Sequence, residues 1–279
     1  MFKLGYNTNG FASHSLLSAI DVISSQGYQS IAITIDHHSL NPFDAHFQEQ
    51  LNQVKEKLTA CHLSSIIETG ARFLLNSMVK HDPTLVSETA EKRNIRIKFI
   101  QDCIHIASQL QSDAVSVWSG QKPPDINESQ AWEWLVQGCR TICRSAAETG
   151  VLIAFEPEPG MMIENMEQFF KLKQAVGHPA FKLTLDLGHA FITEKSVPDT
   201  LKMFKEDIIN IHLEDMKKDV HDHLFFGEGE MDFKEIFDAL HDIGYSGQVN
   251  VELSRHSHDA VTISGKALHF LRGSLSNIS

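Results

Sequence analysis

Residues 151–160 read VLIAFEPEPG and show the pattern from which we predict the fold. Its first half, residues 151–155, is apolar without interruption, which is typical of a strand buried on both faces of a parallel sheet. Glu156 follows immediately and would stand at the carboxyl end of that strand. Similar apolar runs recur along the chain, and we predict further strands at residues 2–7, 30–35, 63–68, 114–118, 181–186, 208–213 and 248–253.

Longer amphipathic stretches separate these runs, and their apolar residues recur at helical spacing. We predict helices at residues 15–25, 43–60, 87–110, 128–148, 166–176, 198–205, 233–243 and 258–271. Gly27, Gly150, Gly177 and Gly244 each follow a helical pattern, as glycine does when it ends a helix. Pro198 suits the first turn of a short helix, where its missing amide proton is not needed.

The predicted elements are eight strands that alternate strictly with eight helices. Dividing the length by eight gives about 35 residues, the size of one strand–helix unit. Alternation implies a parallel sheet, and eight such units favour a closed (β/α)8 barrel, an α/β fold of the TIM type. An open, doubly wound sheet is the alternative, but no GxGxxG motif follows the first strand. Because no linker, low-complexity tract or change in composition interrupts the chain, we predict one domain over residues 1–279.

The composition argues against several classes of protein. The chain has 24 Lys and Arg against 36 Asp and Glu, a net charge of −12, and 42% hydrophobic residues. This apolar content suffices for a large core and argues against disorder. An acidic chain lacks the basic surface that nucleic acids require, so we expect no nucleic-acid partner. No apolar run approaches the roughly 18 residues of a membrane span, and residues 1–7 do not resemble a signal peptide, so we expect no membrane partner.

Two residue types bear on metal binding. The cysteines, Cys61, Cys103, Cys139 and Cys143, form no CxxC pair. We interpret them as reduced and mostly buried, in a cytoplasmic protein. The chain also has 16 histidines, a high number for its length. Because histidine is the commonest metal ligand and titrates near neutral pH, the positions of these residues matter.

Ionisable residues stand at the ends of four consecutive predicted strands, and they are Glu156, Asp186, His212 and Glu252. In a parallel barrel these ends meet at one mouth, where catalytic groups stand. Three carboxylates without a counter-charge would raise each other's pKa, and a divalent cation such as Mn²⁺, Mg²⁺, Co²⁺ or Zn²⁺ resolves the conflict. The alternative is that each acid caps the following helix, and Asp186 is the most plausible cap.

The sequence around these residues resembles a known family. FEPEPG at 155–160, LDLGH at 185–189, IHLED at 211–215 and VEL at 251–253 resemble the xylose-isomerase-like barrel superfamily, and its sugar epimerases and sugar-phosphate isomerases most of all. GEGEMDF at 227–233 is similar to the glycine-rich turn of this superfamily. The resemblance covers essentially the whole chain. These motifs are specific for the superfamily but only weakly specific for the reaction.

The resemblance implies a divalent-metal-dependent isomerase or epimerase of a small sugar or related polyhydroxy carbonyl compound. Glu156, Asp186, His212 and Glu252 match the ligands of one metal ion, and Glu156 and Glu252 also match the two catalytic carboxylates. The metal stabilises an enediolate, one glutamate removes the proton next to the carbonyl, and the other returns a proton on the opposite face. Return by one base to the neighbouring carbon would give isomerisation instead.

The resemblance also implies contacts to the substrate. His189 matches a substrate-binding histidine, although a solvent-exposed histidine at a helix end is the alternative. Lys218 stands where some epimerases carry an arginine, but a lysine is a point charge and a solvated lysine is equally plausible. Trp118 could stack on a sugar or pack in the core. Glu158 and His223 are further candidates for substrate contact, and His223 could also be a surface histidine.

Two histidines depart from the epimerase pattern. In the abasic-site endonucleases of the superfamily, an Asp-x-His motif in the region of His221 and His223 joins a histidine like His189 around further zinc ions. His189, His221 and His223 could therefore hold a second metal. Those nucleases also use histidines after strands three and four, where this chain has residues 68–70 (ETG) and 118–120 (WSG).

Three other functions stay open. A lyase resembling dehydroshikimate dehydratase would use similar ligands and the same proton abstraction. A multi-zinc, endonuclease-like phosphodiesterase would need the second metal site. A barrel that binds a metabolite without converting it is the fourth interpretation. The sequence does not name the substrate, and it shows no surface that would settle whether the protein forms a homo-oligomer.

Overall fold

The structure is a computed structural model, and it describes residues 2–276. Eight parallel strands close into a barrel in the order β1-β10-β7-β6-β5-β4-β3-β2. These strands are β1 (Lys3–Asn7), β2 (Ser30–Thr34), β3 (Ser64–Glu68), β4 (Ala114–Val117), β5 (Leu152–Phe155), β6 (Phe181–Asp186), β7 (Ile208–Leu213) and β10 (Gln248–Val251). The predicted (β/α)8 barrel is confirmed, and all eight strands lie where the apolar runs predicted them.

Nine α-helices occur within residues 2–276, one more than the sequence predicted. They are α1 (Leu16–Gln26), α2 (Phe47–Ala60), α3 (Ala90–Leu110), α4 (Glu128–Thr149), α5 (Met166–Val176), α6 (Leu187–Thr193), α7 (Val197–Phe204), α8 (Phe233–Asp242) and α9 (Ala260–Leu275). The unpredicted helix is α6, which begins directly after β6 because the Asp186 side chain caps it. Its seven residues are too few to show a clear amphipathic period.

The helix ends follow the predicted capping residues. Gly27, Gly150 and Gly177 each adopt the left-handed conformation directly after a helix. Pro198 lies in the first turn of α7. The predicted helix at 43–60 begins only at Phe47, since residues 41–46 form turns stabilised by Asn and Asp side chains.

An antiparallel hairpin that the sequence did not predict follows β7. It consists of β8 (Asp215–Lys217) and β9 (Val220–Leu224). The buried Asp215 carboxylate accepts hydrogen bonds from the backbone amides of Gly227, Gly229 and Met231, so it organises the glycine-rich turn. A Cβ at Gly229 would lie 2.2 Å from Asp215 Oδ1, which requires glycine there.

Side chains alternate between the barrel interior and the helices that surround it. Most of the apolar core lies between strands and helices, whereas Ala32, Ile66, Ala114 and Ala154 form a small separate cluster. Each of these four precedes, by two residues, a polar or ionisable residue: Thr34, Glu68, Ser116 and Glu156. Since residues two apart share a face, the polar groups point to the carboxyl-end mouth above that cluster.

The cysteines agree with the prediction that most of them are buried. All four cysteines are free thiols, and Cys103, Cys139 and Cys143 are buried. Among the helices described, none is long and apolar enough to cross a membrane.

Candidate metal and active site

The four predicted ligands lie together at the barrel mouth. They come from β5, β6, β7 and β10, which are neighbours in the closed sheet. His212 Nδ1 lies 2.9 Å from Glu252 Oε2, 3.3 Å from Glu156 Oε1 and 3.8 Å from Asp186 Oδ2. Glu156, Asp186 and His212 are buried, and Glu252 is nearly so. One imidazole nitrogen therefore faces three carboxylates in a space that excludes most water.

The other ring nitrogen of His212 is held by a carboxylate from the opposite side of the barrel. His212 Nε2 lies 2.9 Å from Glu68 Oε1, and Asn210 Nδ2 donates to the same oxygen at 3.2 Å. An ionised carboxylate can only accept, so Nε2 carries the proton. This orients Nδ1 toward Glu156, Asp186 and Glu252, as in metal sites where a carboxylate fixes the ligand histidine.

Asp186 uses its two oxygens differently. Oδ1 accepts a hydrogen bond from the backbone amide of His189 at 2.8 Å and so caps α6. Oδ2 is buried and has no hydrogen-bond partner among residues 2–276. The two interpretations of Asp186, helix cap and metal ligand, are therefore compatible.

The buried atoms at this point fit a cation. Among the described residues, neither Asp186 Oδ2 nor His212 Nδ1 has a hydrogen-bond partner, and a buried polar atom left without one is costly. Ligand atoms of Asp186, His212 and Glu252 lie within 4.8 Å of one another, close enough to share one ion. Three carboxylates and one imidazole are a suitable donor set for a hard or borderline divalent metal.

The charges of the site shift several pKa values. Burial raises the pKa of Glu156 well above its usual range. Burial would also raise the pKa of Glu252, but the charge of His212 outweighs it and lowers that pKa to about 2. Burial would lower the pKa of His212, but Glu68, Glu252 and Glu156 raise it well above 6.5. The shift of Glu156 comes from burial and neighbouring carboxylates, which a bound cation would relieve, whereas the shifts of Glu252 and His212 come from their mutual attraction.

Asn9 positions Glu252 and was missed in the sequence. Its side-chain amide donates to Glu252 Oε1 at 2.7 Å, while Oε2 faces His212. Asn9 lies in a 3₁₀ turn, Thr8–Phe11, that follows β1, and Asn7 Oδ1 accepts from the Asn9 backbone amide. A polar NTN run after the first strand was the only signal for this role.

The hairpin places two histidines over His189. His221 Nε2 lies 2.9 Å from His189 Nε2, and the His223 ring centroid is 5.7 Å from that of His189. Ring nitrogens of all three lie within 4.8 Å of one another. Burial lowers the pKa of His189 to about 4, so its ring is neutral and its lone pair can bind a proton donor or a metal.

Glu214 is a buried carboxylate that the sequence analysis missed. In the part of the chain that the structure describes, neither of its oxygens has a hydrogen-bond partner, and Oε2 lies 3.8 Å from His223 Nδ1. Burial, followed by the charge of Asp186, raises the pKa of Glu214 well above its usual range. A Cβ at Gly188 would lie 2.0 Å from Glu214 Oε1, so a side chain at position 188 would collide with this carboxylate. The sequence offered one signal for Glu214 as a site residue: it follows His212 by two residues and so lies on the same face.

A cavity of about 410 Å³ opens above the four candidate ligands. Of the predicted substrate contacts, Trp118, Glu158, His189 and His223 line it, as does His221. Burial raises the pKa of Glu158 to about 7, and the charges of Glu252 and Asp186 act in the same direction. The structure therefore brings these predicted residues to one cavity.

Two of the predicted substrate contacts have other partners. Lys218 does not line the cavity, and its ammonium group donates to the carbonyl oxygens of Phe191 at 2.8 Å and Ile192 at 3.3 Å. The structure thus places Lys218 at the end of α6 rather than at the site. Trp118 does line the cavity, but its ring also contacts His81 and the guanidinium of Arg96, so packing and pocket lining coincide.

Sequence comparisons place the chain among barrel proteins. A family model described as xylose isomerase-like TIM barrel matches residues 20–274. An uncharacterized protein of Methanocaldococcus jannaschii is 25% identical over 268 residues, which are 93% of this chain and 86% of that protein. An inosose dehydratase of Klebsiella pneumoniae is 29% identical over 153 residues, or 48% of this chain and 50% of the dehydratase. The matches to the inosose dehydratases thus span about half of those enzymes.

Solved structures share the same architecture. A 3-keto-D-glucoside 4-epimerase from E. coli superposes with a TM-score of 0.79 at 17% identity, covering 98% of this chain and all of that one. A D-allulose 3-epimerase from Methylomonas sp., in complex with D-allulose, gives 0.78 at 17% identity and covers 98% and 97%. At these identities the likeness shows the fold alone. Together with the dehydratases, these neighbours are consistent with a sugar-modifying enzyme, and they leave the reaction open.

Proposed function

Because the chain belongs to the xylose isomerase-like TIM barrel family, we propose that it is a divalent-metal-dependent isomerase or epimerase of a small sugar or related polyhydroxy carbonyl compound. One observation carries the proposal: within residues 2–276, Asp186 Oδ2 and His212 Nδ1 are buried without hydrogen-bond partners beside the carboxylates of Glu156 and Glu252. Structural neighbours that are D-allulose and L-ribulose epimerases support the substrate class.

Glu156, Asp186, His212 and Glu252 are the residues that would hold the ion. A divalent ion bound there supplies a Lewis acid that draws electron density from the substrate carbonyl. Glu156 and Glu252 follow β5 and β10, which are separated by β6 and β7, so they approach a substrate from different sides. One removes the proton from the carbon next to the carbonyl, and the other returns a proton on the opposite face.

The remaining cavity residues orient the substrate. His189, His223 and Glu158 offer nitrogen and oxygen atoms to hydroxyl groups, and Trp118 offers an aromatic wall. A volume of about 410 Å³ lies at the lower end of the range for small-molecule pockets. This size suits a monosaccharide or a molecule of similar size better than a polymer.

The first experiment measures bound metal and proton exchange together. We expect about one divalent ion per chain in untagged protein purified without chelator. In deuterium oxide, the metal-loaded protein should exchange the proton next to the carbonyl in one member of a ketose panel. Glu252→Gln should abolish this exchange, whereas Glu206→Gln, an exposed surface control, should not. Turnover by Glu252→Gln at the wild-type rate would show that the acid–base assignment is wrong.

A lyase is the second candidate function. Relatives named inosose dehydratase, 25 to 29% identical over about half of the chain, favour it. The same proton abstraction would then be followed by loss of a hydroxyl group rather than by return of a proton. Mass spectrometry of the product separates the two reactions, because a dehydratase product is lighter by one water molecule. Inosose belongs in the panel for this reason.

For the alternative of a multi-zinc phosphodiesterase, we propose His189, His221 and His223 as the ligands of the second metal. Their ring nitrogens lie within 4.8 Å of one another. His221 and His223 belong to the hairpin, which carries none of the four candidate ligands of the first site. Two or more zinc ions per chain, with nicking of abasic DNA, would favour the phosphodiesterase. Absence of any metal after reconstitution would instead favour a barrel that binds a metabolite without converting it.

A further inference from the structure

The segment between β3 and α3, residues 69–89, reaches over the barrel mouth. We call it the mouth loop. Arg72, Lys80 and His81 of this loop line the cavity beside the candidate ligands, and the sequence had not suggested any of the three. In the closed order of the sheet, β3 lies four strands from β7 in both directions. The mouth loop therefore rises on the side of the barrel opposite the strand that carries His212.

A buried guanidinium holds the mouth loop in place. Arg96 of α3 donates to the carbonyl oxygens of Pro83 at 2.6 Å, His81 at 2.7 Å and Thr69 at 3.1 Å. The His81 backbone amide also donates to Arg72 O at 2.6 Å. The start of the loop and residues 81 and 83 are thus fixed to one side chain, so the position of His81 is set before any ligand arrives.

Hydrogen bonding determines which nitrogen of His81 carries the proton. His81 Nδ1 lies 2.8 Å from Gly70 O, and a carbonyl oxygen can only accept, so Nδ1 is the donor. Burial, together with nearby cations, lowers the pKa of His81 to about 4, so the ring is neutral at physiological pH. The His81 Nε2 atom therefore has a lone pair, and no hydrogen bond from residues 2–276 reaches it.

A second ring contact fixes the orientation of His81. Its ring meets that of Trp118 at 81° with centroids 5.4 Å apart, and both rings line the cavity. The ring can neither turn about the Gly70 contact nor swing away from the cavity without losing one of these interactions. The lone pair on Nε2 is a preorganised acceptor in the wall of the cavity.

We propose that His81 is a specificity-determining residue whose Nε2 atom accepts a hydrogen bond from a hydroxyl group of the substrate, on the part of the molecule that faces the mouth loop. This rests on the proposed function, because it assumes that the carbonyl end of the substrate lies at Glu156 and His212. The group that Nε2 binds is a hydroxyl group, since a lone pair repels the unprotonated oxygens of a phosphate or carboxylate group.

Two variants of His81 separate this role from a structural one. His81→Asn keeps a donor near the position of Nδ1, and so keeps the Gly70 contact, but it removes the acceptor. His81→Gln places an amide oxygen near the position of Nε2 but loses the contact to Gly70. If His81 only supports the loop, Asn is the better replacement, whereas the proposal predicts that Gln is better. His105→Gln, on the exposed side of α3, is the matched control.

The experiment measures kcat and KM for the metal-loaded protein with the ketose found by deuterium exchange and with its 4-, 5- and 6-deoxy analogues. One deoxy analogue should lose about tenfold in kcat/KM with the wild type, mainly through KM, and His81→Asn should no longer discriminate against it. His81→Gln should keep at least part of the discrimination.

The outcomes distinguish this inference from the proposed function. If His81→Asn discriminates against the deoxy analogues as strongly as the wild type does, His81 does not accept a hydrogen bond from a substrate hydroxyl group. A preference for a phosphorylated ketose that is equally strong in the wild type and in His81→Asn leads to the same conclusion. If the wild type exchanges no proton in any ketose or in inosose, the proposed function fails and the inference fails with it. Circular dichroism and the Tm of each variant establish that it is folded.

Discussion

His212 of β7 donates its Nε2 proton to Glu68 of β3 at 2.9 Å, across the barrel. A chain of hydrogen bonds supports this pair from below, since Asn210 donates to Glu68 and Asn250 donates to Asn210. Ser30 in turn donates to Asn250. These five polar side chains are buried inside the barrel and have one another as partners. The orientation of the candidate histidine ligand is therefore fixed by side chains on four different strands.

Replacement of Glu68 by Gln should weaken metal binding. The amide is a poorer acceptor for Nε2–H and makes the imidazole a weaker ligand, so we expect a loss of about 10- to 100-fold in affinity. Calorimetric titration of chelator-treated protein with Mn²⁺ measures it, with the exposed Glu49→Gln as control. An unchanged Kd for Glu68→Gln would mean that His212 is not a ligand through Nδ1.

Two replacements of Asp186 should separate its two roles. Both Asp186→Asn and Asp186→Ala should lose the metal, because both remove the charge on Oδ2. Only the alanine also removes the cap of α6, so it should be less stable than the asparagine variant by about 1 kcal/mol. Metal analysis and urea unfolding of the metal-free proteins test the two parts separately. Full metal content in Asp186→Asn would argue against Asp186 as a charged ligand.

Arg96→Met should release the mouth loop. The change leaves the carbonyl oxygens of Thr69, His81 and Pro83 without their donor, at about 1–3 kcal/mol for each group that stays buried. We expect a lower free energy of unfolding and faster amide hydrogen exchange across residues 69–83. Arg140→Met is the control, because Arg140 donates to carbonyl oxygens at the end of α5 and not to this loop. Unchanged exchange in the mouth loop would contradict the anchoring role.

The stability of the metal-free protein should depend on pH through His81. Burial lowers its pKa from 6.5 to about 4, so the unfolded chain binds the proton at a higher pH than the folded protein does. The contribution of neutral His81 is complete above pH 6.5 and is lost as the pH falls toward 4. Between pH 7 and 5, the wild type should thus lose more unfolding free energy than His81→Asn. Equal losses would show that the folded His81 titrates normally.

The sequence predicted the barrel and the four candidate ligands because both depend on local patterns. Continuous apolar runs such as 152–155 can be recognised without knowledge of their neighbours, and alternation with helices forces their carboxyl ends to one mouth. Glu156, Asp186, His212 and Glu252 each lie at or directly beside such an end. The short helix α6 was missed because seven residues show no period, although its cap, Asp186, had been recognised.

The tautomers and the positions of these side chains depend on the tertiary structure and could not be predicted from the sequence. The tautomer of His212 depends on Glu68, 144 residues away, and the position of Glu252 depends on Asn9, 243 residues away. His221 and His223 reach His189 through a hairpin, and His81 reaches the cavity on a loop that Arg96 holds. Loops have no periodicity, and their conformation is set by buried hydrogen bonds to distant elements. Local patterns in the sequence therefore suffice to predict the scaffold and the candidate ligand set. The tertiary structure shows which nitrogen and oxygen atoms are left for a metal and a substrate.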